Sequence, residues 1–181
     1  METWIERNEV FNGPIFRVLT GTARLDDGQV ARRDMVAHRG GVGVVPILGD
    51  QILLVRQFRL AVNKPMLEIP AGLREPNEAA EACAARELAE ELGYAAGQLI
   101  PLVTYHTSPG FTDESTAIFL ALDLTPTVAT PDWDERLTRV EQPLAHLATD
   151  LAAGIFEDGK TIIGLYAAQA WWQRQQEEIR Q

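Results

Sequence analysis

In "AGLREPNEAAEACAARELAEELGY", residues 71–94, the glutamates Glu87, Glu90 and Glu91 stand at i, i+3 and i+4. Such positions share one face of a helix, so the three carboxylates crowd one another. Two unit charges about 4 Å apart repel by about 4 kcal/mol at an effective dielectric of about 20, against a few tenths for exposed, solvated like charges on a helix. Either the face is wet and splayed or something positive sits on it. A divalent metal accounts for the arrangement, because hard cations such as magnesium take carboxylate and carbonyl oxygens and act beside substrate phosphates. The surroundings favour this over a plain solvated glutamate face. Pro70 and Gly72 break the chain ahead of the helix, Arg86 adjoins the cluster, and Gly93 ends the helix directly after it.

The elements that must carry these residues are readable from periodicity and punctuation. Residues 14–39 alternate apolar and polar positions around "DDGQ", the pattern of an N-terminal hairpin. "GVGVVPIL" and "QILLVRQF", separated by Gly49 and Asp50, read as a second and more buried hairpin. "MLEIPAG" is a short strand stopped by proline and glycine, and "EAAEACAARELAEEL" is a helix closed by Gly93. Strands follow over "LIPLVTYH", "STAIFLALDL" and "LTRVEQP", with "TSPGFTDE" and "TPTVATPDWDER" as loops. A short helix covers "LAHLATDLAAG". A longer one runs from about Lys160 to Ile179, with Ile162, Leu165, Tyr166 and Trp172 on or near one face. Strands flanking a helix, then two helices, indicate an α+β fold, an α/β/α sandwich on a mixed sheet.

Composition narrows the function classes. The chain has 181 residues with a formal net charge of -10, so an exposed basic surface for nucleic acid is not expected, and an anionic ligand needs help from a cation. The single cysteine, Cys83, lies in the alanine-rich helical stretch, which rules out an intrachain disulfide framework. "METWIERNEV" has neither the basic start nor the apolar run of a secretory signal, and no stretch approaches the ~20 apolar residues that span a bilayer. A cytoplasmic protein without membrane partners is the default expectation. His38, His106 and His146 fit no metal spacing, and no serine-nucleophile or P-loop pattern is present.

The run Gly72, Glu78, Arg86-Glu87-Leu88, Glu90-Glu91 and Gly93-Tyr94 resembles the Nudix box of the Nudix hydrolases. Only the last position departs, with Tyr94 where the family favours an aliphatic residue, a change that concerns packing after the helix. The resemblance implies a loop-helix-loop on an α/β/α sandwich that binds Mg²⁺ or Mn²⁺ through Glu87, Glu90, Glu91 and the carbonyl of Ala71. It makes Arg86 the residue that orients the glutamates, and counts Arg86 and Glu91 in the catalytic set. Glu78, about 180° around the helix from Glu87, is a poor direct ligand and is expected to stabilise the loop or the helix N-terminus. The resemblance divides the chain into an N-terminal β-hairpin region, 1–40, and a Nudix hydrolase domain, 41–181.

Outside the box, "RRDMVAHRGGVGVVPI", "VRQFR", "LEIPAGL" and "TSPGFTDE" resemble the ADP-ribose and ADP-sugar pyrophosphatase branch of that family, including Pro109 sixteen residues after Gly93. The implied substrate is a small nucleoside diphosphate sugar, and the implied assembly a homodimer whose N-terminal strands help build the partner's site. Arg56 and Arg59, three apart on a strand, face opposite sides. One would serve the diphosphate or terminal ribose, with Arg59 matching the "Q-aromatic-R" pattern. Glu68 would accept a hydrogen bond from an adenine amine or else be a surface strand glutamate. Pro109 and Glu114 complete the substrate-binding set, while Trp4, Phe11, Phe16 and Phe111 are candidates for stacking adenine or for packing. The base is sought in "PDWDER": Glu135 first, with Asp134 and Glu114 behind it.

The expected activity is divalent-metal-dependent cleavage of ADP-ribose, or a related ADP-sugar, to AMP and ribose 5-phosphate. Cleavage of another nucleoside diphosphate sugar, such as a GDP-sugar, is the alternative within enzymes. A non-catalytic nucleotide-sensing module is the alternative outside them.

Overall fold

The computed structural model describes residues 1–130 and 136–179. The chain forms two compact units, Met1–Gly40 with Tyr105–Thr116, and Gly41–Thr104 with the chain from Ala117 onward. Residues 105–116 cluster with the N-terminal forty.

The first unit is a three-stranded antiparallel sheet, β1 (Thr3–Asn12), β2 (Phe16–Arg24) and β3 (Val30–His38), in the order β1-β2-β3. The hairpin β2-β3 is the expected one. At its turn, Asp27 Oδ1 accepts the Gln29 N–H at 3.0 Å and Gly28 takes φ +85°. Strand β1 was not expected, because bulges between Trp4 and Glu6 and between Glu9 and Phe11 break its two-residue period. A side chain at Gly21 would collide with the Glu6 backbone, so this glycine lets β1 approach β2. Residues 105–116 are stitched to β3: Val36 N–H donates to Phe111 O at 2.8 Å, and His38 N–H donates to Asp113 Oδ1 at 2.8 Å.

The second unit is built on β4 (Gly41–Leu48), β5 (Gln51–Arg59), β6 (Lys64–Glu68), β7 (Ala71–Leu73), β8 (Tyr94–His106), β9 (Ser115–Pro126) and β10 (Leu137–Pro143). The main path runs β10-β5-β4-β9-β8, with β6 beside β5 and β7 beside β4. Its helices are α1 (Ala80–Leu92), α2 (Leu147–Ala152), preceded by a 3₁₀ turn, and α3 (Gly159–Ile179). Alternation along β4 explains the layering. Val42 and Val44 pack with Leu53, Val55 and Phe119 against Cys83, Ala84, Leu88 and Leu92 of α1. Val45, Ile47 and Ile52 line the other side with Leu147, Ala168 and Trp172 of α2 and α3. The result is the expected α+β sandwich on a mixed sheet.

Two helix details differ from periodicity. The buried stripe of α3 is Thr161, Gly164, Leu165 and Ala168, at i, i+3, i+4 and i+7, whereas Tyr166, expected on the apolar face, is 52% exposed. Helix α1 ends as expected, with Gly93 at φ 73° donating its N–H to Ala89 O.

Candidate active site

Strand β7 is short because its three residues pair with β4, Gly41↔Leu73, Val42↔Gly72 and Gly43↔Ala71, before the chain turns into α1. That pairing lays the Ala71–Leu73 backbone along the helix face bearing the glutamates. A side chain at Gly72 would overlap the Glu87 carboxylate, so glycine here makes room for an acid that is itself buried.

Arg86 is the hub of the cluster, and every guanidinium nitrogen is used. Nε donates to Glu78 Oε1 at 2.9 Å, and Nη2 to Glu78 Oε2 at 3.0 Å and Leu73 O at 3.1 Å. Nη1 donates to Glu87 Oε1 at 2.6 Å and to Glu90 Oε2 at 2.9 Å. Glu91 Oε2 accepts the Ala71 N–H at 3.2 Å. A positive group therefore does sit on the glutamate face, where Glu87 is buried and Glu90 and Glu91 are half-buried. Part of the repulsion between the carboxylates is relieved by this guanidinium. Arg86 thus bonds two of the three glutamates directly, and Glu78 also accepts the Glu75 N–H at 2.9 Å, which ties it to the loop ahead of α1.

The electrostatics follow. Hydrogen bonds from Arg86 hold the Glu78 carboxyl down at about 2, and those same bonds push the Arg86 pKa up. Burial lifts the Cys83 thiol to about 12, so it is an inert, packed residue. Tyr94 packs onto the core beneath α1 and receives Arg139 over its ring at 5.1 Å, with Nη1 donating to its hydroxyl at 3.0 Å. Its departure from the family preference thus concerns packing.

Among the described residues, no three His, Cys, Asp or Glu side chains converge as a ready-made metal cage. The reason is local: Arg86 Nη1 lies between Glu87 and Glu90, and Glu91 is turned toward the Ala71 amide. The donor set nevertheless fits a hard cation. Three carboxylates on one face beside the Ala71–Leu73 backbone are oxygen donors only, and Gly72 keeps the Glu87 carboxylate against that backbone.

Farther along the same unit, Arg59 at the end of β5 donates Nε and Nη2 to Glu68 Oε1 and Oε2, both at 2.7 Å. Glu68 is 1% exposed, which removes the surface-glutamate alternative, and both oxygens are already engaged. An adenine amine that reached Glu68 would share its oxygens with Arg59. Burial raises the Glu68 pKa, but Arg59 and Lys160 outweigh it and the net shift is downward. Arg56 is exposed, between Leu67 on β6 and Thr138 on β10.

Pro109 and Glu114 lie in the first unit. Glu114 Oε2 accepts the Thr107 hydroxyl at 2.7 Å, and Oε1 lies 3.6 Å from His38 Nδ1. Pro109 and Phe111 line a cavity of about 760 Å³ with Trp4, Arg33 and Asp34, while Phe11 and Phe16 pair at 5.4 Å between ring centroids. Asp132, Trp133, Asp134 and Glu135 lie outside the described residues. Residue reasoning missed Asp158, Lys160 and Thr161 at the start of α3. Asp158 was findable as an N-cap, its Oδ2 accepting the Thr161 N–H at 3.0 Å.

Comparison with known proteins gives consistent results. The NUDIX domain family matches residues 37–159. The chain is 37% identical over 124 residues to ADP-ribose pyrophosphatase of Bacillus subtilis (strain 168), covering 68% of this chain and 67% of that protein. It is 33% identical over 171 residues to the methanol dehydrogenase activator of Bacillus methanolicus, covering 93% and 92%. A crystal structure of an ADP compounds hydrolase superposes with a TM-score of 0.84 at 28% identity, covering 96% of this chain and 95% of that one.

Proposed function

The chain belongs to the NUDIX domain family, and from that premise we propose that it hydrolyses the diphosphate of ADP-ribose, or of a related ADP-sugar, to AMP and ribose 5-phosphate. The observation that carries this reading is the Arg86-centred arrangement of Glu87, Glu90 and Glu91 against the Ala71–Leu73 backbone. The relatives named for ADP-ribose and ADP compounds supply the substrate class.

The enzyme is divalent-metal dependent, with Mg²⁺ or Mn²⁺ as the proposed ion. Glu87, Glu90, Glu91 and the Ala71 carbonyl would hold it. When bound, it neutralises charge on the diphosphate oxygens and acidifies water. Arg86 keeps the carboxylates in place through its fork of donors. Arg59, its plane fixed by Glu68, donates to the diphosphate or the terminal ribose, with Arg56 as the second cation of β5. Glu135 accepts the proton of the attacking water.

We take the protein to be a homodimer. In β1 and its neighbours, Ile5, Val10, Phe11, Ile15 and Phe16 are exposed, an apolar surface of the kind that a second copy covers. No helix of the described residues is long and apolar enough to cross a membrane. A cytoplasmic setting accords with the free, buried thiol of Cys83.

The test is product analysis of ADP-ribose and a GDP-sugar with Mg²⁺ and with excess chelator. AMP released from ADP-ribose only when metal is present is the expected result. Cleavage of the GDP-sugar without that of ADP-ribose would move the assignment to the other nucleotide, and binding without cleavage of either would make the chain a sensing module.

A further inference from the structure

The first residues of α3 meet the strand that leads into the glutamate cluster, and they do so through charge. Glu68 ends β6 and shares its oxygens between two cations: Arg59 takes both, and Lys160 Nζ donates to Oε2 as well. Lys160 also donates to Asp158 Oδ2 at 3.0 Å. Two positive and two negative groups cancel, which offsets much of the cost of burying Glu68. Thr161, fully buried, ties the same end of α3 to the backbone. Its hydroxyl accepts the Ile69 N–H at 2.9 Å and donates to Asp158 Oδ2 at 2.6 Å. Ile69 directly precedes Pro70 and Ala71, whose N–H holds Glu91.

A side-on carboxylate pair fixes the plane of a guanidinium only as well as the carboxylate is itself fixed. Arg59 needs such fixing, because its side chain is 43% exposed and sits at a strand end. The pair leaves Nη1 outside the Glu68 contact, in the plane that Glu68 dictates. Lys160 Nζ is held by Glu68 and by the N-cap Asp158 together, and its backbone lies in the first turn of α3, so it couples the Glu68 carboxylate to a helix rather than to a flexible chain.

We propose that Lys160 is a positioning residue for the reaction: by pinning Glu68 to the N-terminus of α3, it sets the plane in which Arg59 meets the diphosphate. This role rests on the reading of Arg59 given above. Lys160 acts through Glu68, and its removal weakens substrate binding more than the chemical step.

The test is a cycle of Lys160→Met, Glu68→Gln and the double variant in the full chain, with KM and kcat measured on ADP-ribose with Mg²⁺. The Arg59 Nε–H resonance is followed by NMR without substrate. Lys160→Met is expected to raise KM about tenfold with kcat within about twofold, and to add less than about twofold to KM once Glu68 is Gln. The Arg59 Nε–H signal, slow to exchange in the wild type, is expected to broaden in Lys160→Met. An unchanged KM, a fall in kcat alone, or full additivity in the cycle would overturn the proposal. If Lys160→Met does not fold, Lys160→Gln is read in the same way. A wild type inactive on ADP-ribose would remove the substrate reading, and the NMR signal would then decide: loss in Lys160→Met supports the clamp, persistence overturns it.

Discussion

At the scale of single residues, Arg86 and Gly72 do the work that makes three glutamates usable. A guanidinium offers five donors in a fixed fork, and here it reaches Glu78, Glu87, Glu90 and the Leu73 carbonyl. Arg86→Lys keeps the charge and loses the fork, so turnover of ADP-ribose is expected to fall by about 10–100-fold, the cost of losing a group that orients metal ligands. Glu91→Gln removes a proposed ligand itself, so its loss of kcat should exceed that range with the circular dichroism spectrum unchanged. Near-normal turnover in Glu91→Gln would reject its ligand role.

Glu78 makes a pH prediction with a definite sign. Its carboxyl sits at about 2 in the folded chain against an ordinary 4.5, so it contributes stability above pH 4.5 that is lost as pH falls through about 2. The stability difference between the wild type and Glu78→Gln, on the order of 1–2 kcal/mol at neutral pH after allowing for solvent screening, should shrink across that window. Denaturant titrations at several pH values would show it, and a difference that stayed constant down to pH 2 would contradict it. Glu87, Glu90 and Glu91 were legible because helical spacing puts them on one face, and Arg86 through the resemblance to the Nudix box; its bonds to Glu78, which lies ahead of the helix, were not read. The setting of Glu68 was not legible either. Its partner Lys160 is 92 residues away, and no local pattern announces a contact made only by the fold.

At the scale of elements, α1 is held to the sheet by Cys83, Ala84, Leu88 and Leu92, while the glutamates occupy the flank facing β7. Core and site therefore share a helix, and a cavity beneath it should loosen both. Leu88→Ala is expected to cost about 2–5 kcal/mol in chemical denaturation and to weaken metal activation, whereas an equivalent truncation in α2 should cost stability alone. The hairpins, α1 and the last two helices were readable from period and punctuation, since their apolar positions repeat as burial demands. Strand β1 was hidden because two bulges break its alternation and nearly all its positions are exposed. The Tyr166 assignment failed for a related reason: a mixed helix offers several plausible stripes, and the small residue Gly164 marks the one that meets Val45.

For the whole molecule, the formal charge of -10 means that an anionic substrate gains nothing from the protein's overall field, so the proposed contacts of Arg59, Arg56 and the metal have to supply the attraction. The apolar surface of β1 carries the assembly prediction. Val10→Asp is expected to convert a dimer of 20.0 kDa chains to monomers in sedimentation velocity. A wild type that sediments as a monomer at all concentrations would end the dimer proposal while leaving the α1 site as it stands.

The most direct test of the central claim is the anomalous signal of Mn²⁺ in crystals containing a non-hydrolysable ADP-ribose analogue. The account predicts a peak within about 2.0–2.3 Å of oxygens from Glu87, Glu90, Glu91 and the Ala71 carbonyl, next to the diphosphate. A peak elsewhere, with Glu87 and Glu90 still held by Arg86 and no ion beside them, would contradict it.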